Sequence, residues 1–396
     1  MKFDAAFPAG NATRSMLWSP LGAAMIMAVG MGFGRFAFTG VYPAMVSESL
    51  LTVHEGTWAA SANYAGYLIG ALVAARLASY QAYRWVIISL VMSVLCLVVL
   101  AFVHAPGMII AIRGVAGVFS ALSMIAASLW LLQHKGHHEG APMLFAGVGV
   151  GIFLSAEIIA SAQHLGLKSP ELWLMLGICA AILGGLAILK MDRLAISHAQ
   201  NHSAAARSHQ IPLGAWPLIL AYGLAGFGYI ITATYLPMLI KDSLGDVNPV
   251  HVWAAFGLGA APSCYFWHRI HMSQGTHQAL RFNLLVQAAG VVLPVVFPNA
   301  FGYVASALIV GGTFMGTVTI AMPAAKRISH MVKFNLIAVL TAAYGIGQIL
   351  GPLLANYLYA LSGAFDSSLV TASLALVISA SQTFRPFALK TSQGKR

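Results

Sequence analysis

Arg35 is the one charged side chain between Leu21 and Val46, inside the run GMGFGRFAFTGVYP from Gly30 to Pro43. A charge in the middle of an apolar helix is expensive unless it is paired or faces water. Two chemistries would keep it there. The guanidinium could be a fixed cation that grips an anionic solute, two-pronged if the anion is a carboxylate. It could instead be a structural group, satisfied by backbone carbonyls or a neighbouring helix. Arg113 and Glu157 form a second set, in consecutive apolar runs at matching expected depth. They read either as a buried ion pair or as a coupling site, with Glu157 taking up and releasing a proton. A third set is neutral. Asn63 and Tyr67 are four residues apart and share a helix face, as do Tyr344 and Gln348. Groups of this kind line a solute cavity or hold helices together. With Arg35 and Tyr229 they make up the candidate substrate-binding residues.

Other chemistries lack their residues. No nucleophile–base pair or metal-ligand set falls within the apolar runs, so an enzyme is not expected. No phosphate loop or nucleotide domain is present, and no cofactor is implied. Gly32-x-Gly34-x-x-Ala37 resembles half of a dinucleotide fingerprint, but it lies in one continuous apolar run without a preceding strand. His134, His137 and His138 crowd the short loop HKGHHE, which reads as a solvated surface loop and not as a metal centre. Cys96, Cys179 and Cys264 lie far apart in apolar runs and read as small core residues.

The elements that must position these groups follow from composition. Of 396 residues, 59% are hydrophobic and 8% charged, with mean hydropathy +0.81. A soluble chain would carry roughly a quarter charged residues, so an integral, all-α membrane protein is expected. Twelve apolar stretches are each long enough to cross a bilayer, near 20–46, 57–79, 83–103, 108–133, 141–164, 170–190, 214–240, 249–268, 279–298, 300–325, 334–361 and 366–385. With both termini cytoplasmic, every Lys and Arg lies on the inner side except Lys168 and Lys241 outside and Arg35 and Arg113 within spans. This positive-inside bias predicts a multi-pass protein of the inner (plasma) membrane, with the first span as its own signal-anchor. It also accounts for the net charge of +11 without nucleic acid. Lipid is the expected surroundings, a small-molecule solute and protons the expected partners, and a monomer the expected state.

The polar stretch DRLAISHAQNHSAAARSHQIP divides the spans six and six, predicting bundles at 1–191 and 214–396 joined by a cytoplasmic linker at 192–213. The halves repeat. Gly32-Phe33-Gly34 precedes Pro43 as Gly226-Phe227-Gly228 precedes Pro237, 194 residues on. Trp58-Ala-Ala matches Trp253-Ala-Ala at 195, and Gly149-Val-Gly-Ile-Phe-Leu-Ser155 matches Gly345-Ile-Gly-Gln-Ile-Leu-Gly351 at 196. Small residues let helices pack closely and slide. Gly147, Gly149 and Gly151, and Gly345, Gly347 and Gly351 with Pro352, are therefore the expected packing and gating positions.

Gly32-Phe-Gly-Arg-Phe with Pro43, Asn63-Tyr-Ala-Gly-Tyr-Leu-Ile-Gly70 and Gly345-Ile-Gly-Gln-Ile-Leu-Gly-Pro352 together resemble the YbfB/YjiJ-type branch of the major facilitator superfamily. The resemblance covers the whole chain. It implies two pseudo-symmetric six-helix bundles that rock about a midplane site. Arg113-Gly-Val-Ala-Gly117 is similar to the superfamily's Arg-x-x-x-Gly motif of proton-coupled members. The loop after the second span keeps Arg76 and Arg84 but lacks the superfamily's Asp. The expectation is a secondary transporter of a small organic solute, an anion by Arg35, coupled to protons. A proton-coupled efflux antiporter for drugs or other amphiphiles is the alternative within the class. A non-transporting membrane sensor or assembly protein is the alternative outside it.

Overall fold

The computed structural model describes residues 10–191, 213–240 and 248–384, with side chains from Trp18 onward. The expected linker falls outside the described residues except for Leu213, as do Lys2, Lys241 and the basic residues after Phe384. Among the described residues all regular structure is helical. In hydrocarbon a helix satisfies its own backbone polar groups, which long apolar runs require.

The first rod, α1, runs as Gly10–Met27, a segment of wide turns over Ala28–Phe36, and Ala37–Ser47. Then come α2 (Val53–Ala74), α3 (Ala82–Leu100) and α4 (Pro106–Ser128, continued by a second wide segment, Leu129–His134). They are followed by α5 (Ala141–His164), α6 (Ser169–Lys190) and α7 (Ala215–Leu239). The helical stretch Val250–Val296 breaks at Gly275, whose φ of 80° and ψ of 176° suit glycine alone, into α8 (250–274) and α9 (276–296). The chain ends in α10 (Ala300–Ile328), α11 (Leu336–Ser362) and α12 (Asp366–Ser381). Local chemistry sets the ends. Thr52 and Glu55 form a reciprocal cap on α2, and Asn299 and Asn335 accept the first free N–H groups of α10 and α11.

Ten helical stretches among the described residues are long and apolar enough to cross a membrane. The difference from the expected twelve has two causes. Val250–Val296 counts once although it bends at Gly275, and Val53–Ala74 is not among the ten. The α2 sequence is diluted by His54, Glu55, Asn63, Tyr64 and Tyr67, because much of its surface faces other helices. The outer surface fits hydrocarbon: Ile69, Val91, Leu95, Ile178, Ile182, Phe282, Leu350 and Leu374 are exposed.

Close helix approach depends on glycine. In α5, residues 147 and 151 share one face and residue 149 points away, since each residue turns the helix by about 100°. A methyl group on Gly147 or Gly151 would strike the α1 backbone, 2.1 Å from Ala24 O and 2.5 Å from Ala28 O. One on Gly149 would strike α8, 2.2 Å from Ala261 N. In α11, Gly347 and Gly351 abut α7, while a methyl group on Gly345 would sit 3.1 Å from Leu68 of α2. Helix α5 therefore meets α1 and α8 as α11 meets α7 and α2. The sequence repeat reappears as repeated packing. Thr39 Oγ1 donates to Ala233 O at 2.7 Å, across 194 residues, the spacing of the Gly-Phe-Gly repeat.

Candidate functional site

The wide turns of α1 carry Gly30, Gly32, Gly34 and Arg35, all buried. Wide turns displace backbone carbonyls from the regular ladder and recur at functional positions. Here the carbonyls of Gly34 and Arg35 accept hydrogen bonds from Arg113 Nη1 and Nη2, at 3.1 and 3.0 Å. The Arg113 guanidinium also sits 4.5 Å from the Phe38 ring centre. Arg113 thus braces the segment that presents Arg35. Its side chain is 1% exposed.

Arg35 is 3% exposed, and neither its Nε nor its Nη2 has a hydrogen-bond partner. Aromatic faces hold its cation instead: Tyr67 at 3.9 Å, and Tyr64 and Phe36 at 5.2 Å, from guanidinium carbon to ring centre. Such contacts stabilise the charge but use none of its N–H groups. The opposing wall comes from residues beyond 213. Phe36 meets Phe314 and Trp253, Phe314 stacks on Tyr229 at 5.3 Å, Tyr229 on Tyr344 at 5.8 Å, and Tyr344 on Tyr222 at 4.4 Å. Gln348 donates its amide N–H to the Tyr229 hydroxyl, and its Oε1 is buried without a partner. Arg35, Tyr67, Tyr229, Tyr344 and Gln348 therefore gather around one aromatic interface.

Asn63 does not join them. It is fully buried, gives Nδ2 to Arg113 O at 2.9 Å, and packs where Gly117 allows the α2 and α4 backbones to touch. It ties two helices. The expected Arg113–Glu157 ion pair is absent. Arg113 faces α1, whereas Glu157, 36% exposed, pairs with His251 of α8 at 3.0 Å. Matching depth in two helices says nothing about which way each is turned, and α5 turns Glu157 away from α4.

The Glu157–His251 pair belongs to a row of contacts between a first set of helices, α1–α6, and a second, α7–α12. Tyr64 O–H meets Thr234 Oγ1 at 2.9 Å, and Thr57 Oγ1 meets Tyr235 O–H at 2.7 Å. Tyr235 also donates to Pro352 O, at 3.1 Å. Asn248 donates to Gln163 at 2.7 Å, and Asn356 meets His54 at 3.0 Å. These lie toward the end where Ser169 N donates to the Glu48 carboxylate. At the other end, Lys190 sits over Trp18 at 3.5 Å, and Arg281 meets Thr383 and Phe384.

The family described as uncharacterised MFS-type transporter YbfB matches residues 27–383. The chain belongs to this major facilitator family. Membership makes it a multi-pass membrane protein of a transporter class, and not an enzyme. No curated protein matches it. Of the five neutral candidates, Tyr67, Tyr229, Tyr344 and Gln348 lie around Arg35 and Asn63 does not. The sequence placed Tyr64 among the polar groups of the second span, and it did not point to Tyr222, Phe314 or Trp253 as site residues. Nor did it point to His251, 94 residues from Glu157.

Proposed function

We propose that this chain is a secondary active transporter that moves a small organic anion by alternating access. The observation that carries the reading is Arg35: a buried cation at the interface between the two sets of helices, with N–H groups left for a ligand. A buried charge without such partners is a standing cost, and a transported anion would offset it. In this reading the membrane domain has twelve spans, the ten apolar stretches with Val250–Val296 counted as two and α2 added. They form bundles on either side of the 192–213 linker. The Lys and Arg distribution supports both termini on the cytoplasmic side of the inner membrane, with the Glu48 end outside. The contacts at the Glu48 end then close the outer side. Proton coupling rests on Glu157, which pairs between the bundles where a protonation change would alter the closure. Arg113 contributes by bracing α1.

The test is flux in proteoliposomes with a panel of organic acids, in the presence and absence of a pH gradient. Wild type should exchange at least one acid, Arg35→Gln should abolish that exchange, and Glu157→Gln should remove its response to the gradient. Normal exchange by Arg35→Gln would make the guanidinium structural. Flux of cationic or neutral amphiphiles that ignores Arg35→Gln would turn the protein into an efflux antiporter. Binding without flux would make it a sensor.

A further inference from the structure

The two unpartnered Arg35 donors lie on one edge of the guanidinium. Nε–H and one Nη2–H point the same way within its plane, so together they form a fork. A carboxylate presents two coplanar oxygens that fit such a fork side by side. The fork is single. The other buried guanidinium, Arg113, gives both terminal nitrogens to the Gly34 and Arg35 carbonyls and keeps only its Nε free. A second carboxylate on the solute would find no second free fork and would be buried without hydrogen-bond partners of its own, which is costly.

The walls are flat and aromatic. Tyr67 lies against the guanidinium, Tyr64 and Phe36 flank it, and Phe314, Tyr229 and Tyr344 stack in sequence with interplanar angles of 16° and 21°. Rings of this kind favour another ring over an aliphatic group of equal size. No acid is among these residues, and the charges of Arg35 and Arg113 would repel a cationic ligand.

We propose that the solute is a flat aromatic monocarboxylate, its carboxylate on the Arg35 fork and its ring against Tyr67 and the Tyr229–Phe314 wall. This rests on the anion-transporter reading and narrows its substrate class. The site is closed around Arg35 in this structure, so binding requires the bundles to part.

Isothermal titration of the purified full chain tests it, with benzoate, cyclohexanecarboxylate, phthalate and benzamide as probes. These differ in ring, charge and carboxylate, one at a time. Benzoate should bind about tenfold more tightly than each of the others. Arg35→Lys keeps the charge but not the fork, and should weaken benzoate about tenfold. Tyr67→Leu should bring benzoate and cyclohexanecarboxylate closer together without abolishing either. A melting curve on each variant separates lost binding from lost folding, and the wild-type panel needs no variant. Equal binding of cyclohexanecarboxylate or phthalate overturns the aromatic monoanion and leaves anion transport standing. Absence of benzoate binding also overturns it. Anion transport falls with it only if Arg35→Gln exchanges organic acids as wild type does.

Discussion

Arg35 and Arg113 are both buried guanidiniums, and their surroundings give them different work. Arg113 has spent its terminal N–H groups on two carbonyls that the wide turns of α1 expose, whereas Arg35 has kept two on one edge. The sequence assigned Arg113 to a pair with Glu157, because it shows depth along a span and not which backbone groups a side chain meets. Removing Arg113 should therefore be a stability lesion. Arg113→Met leaves the Gly34 and Arg35 carbonyls without their donor, and a buried acceptor so deprived costs about 1–3 kcal/mol. The expected outcome is a lower melting temperature in detergent, with Arg113→Lys intermediate because one ammonium spans two carbonyls poorly. Arg35→Gln should melt close to wild type while losing anion exchange. A larger fall in melting temperature for Arg35→Gln than for Arg113→Met would reverse the two assignments.

The helices are held by close backbone approach as much as by side-chain packing. Gly32 lies against Gly151, where an added methyl group would sit 2.3 Å from the Gly151 carbonyl carbon. Backbone cannot step aside as a side-chain tip can. Gly32→Val should therefore force α1 and α5 apart, costing about 1–3 kcal/mol as overpacking does, and should displace the Arg35 fork with it. Gly185 in α6 has open space where its side chain would be. Gly185→Ala should leave the melting temperature unchanged or raise it slightly, since alanine favours a helix over glycine by up to about 1 kcal/mol. Melting curves of the two variants compare directly. Equal effects would show that contact, and not helix propensity, is the wrong explanation for these glycines.

At the scale of the molecule, α5 with α8 and α2 with α11 make equivalent seams between the two sets of helices. The polar links along them lie toward the Glu48 end. If the sets rock about the Thr39–Ala233 contact, these seams must open in each cycle. Gln163→Cys with Asn248→Cys replaces a side-chain contact of 2.7 Å by a pair that a short thiol cross-linker can bridge. With Cys96, Cys179 and Cys264 replaced, cross-linking should abolish exchange and reduction should restore it. Exchange that continues after complete cross-linking, checked by mobility on a gel, would exclude rocking at this seam.

Class, helicity and family were legible in the sequence because each rests on local or additive properties. Twenty apolar residues must be a helix in lipid, wherever they sit in the bundle. The Gly-Phe-Gly and Gly-Ile-Gly repeats survive as spacing alone. The isolation of Arg35 was also legible, since an unmatched charge in an apolar run is a local fact. What each helix turns toward its neighbours was not. A span that is apolar on all sides carries little periodic signal, so its rotation is decided by packing. That rotation took Glu157 from Arg113 to His251 and set Asn63 between helices instead of beside a solute. It also gathered Tyr64, Tyr67, Tyr229, Tyr344 and Phe314 around Arg35. Residues more than a hundred positions apart in the chain meet there only because the two halves close on one another.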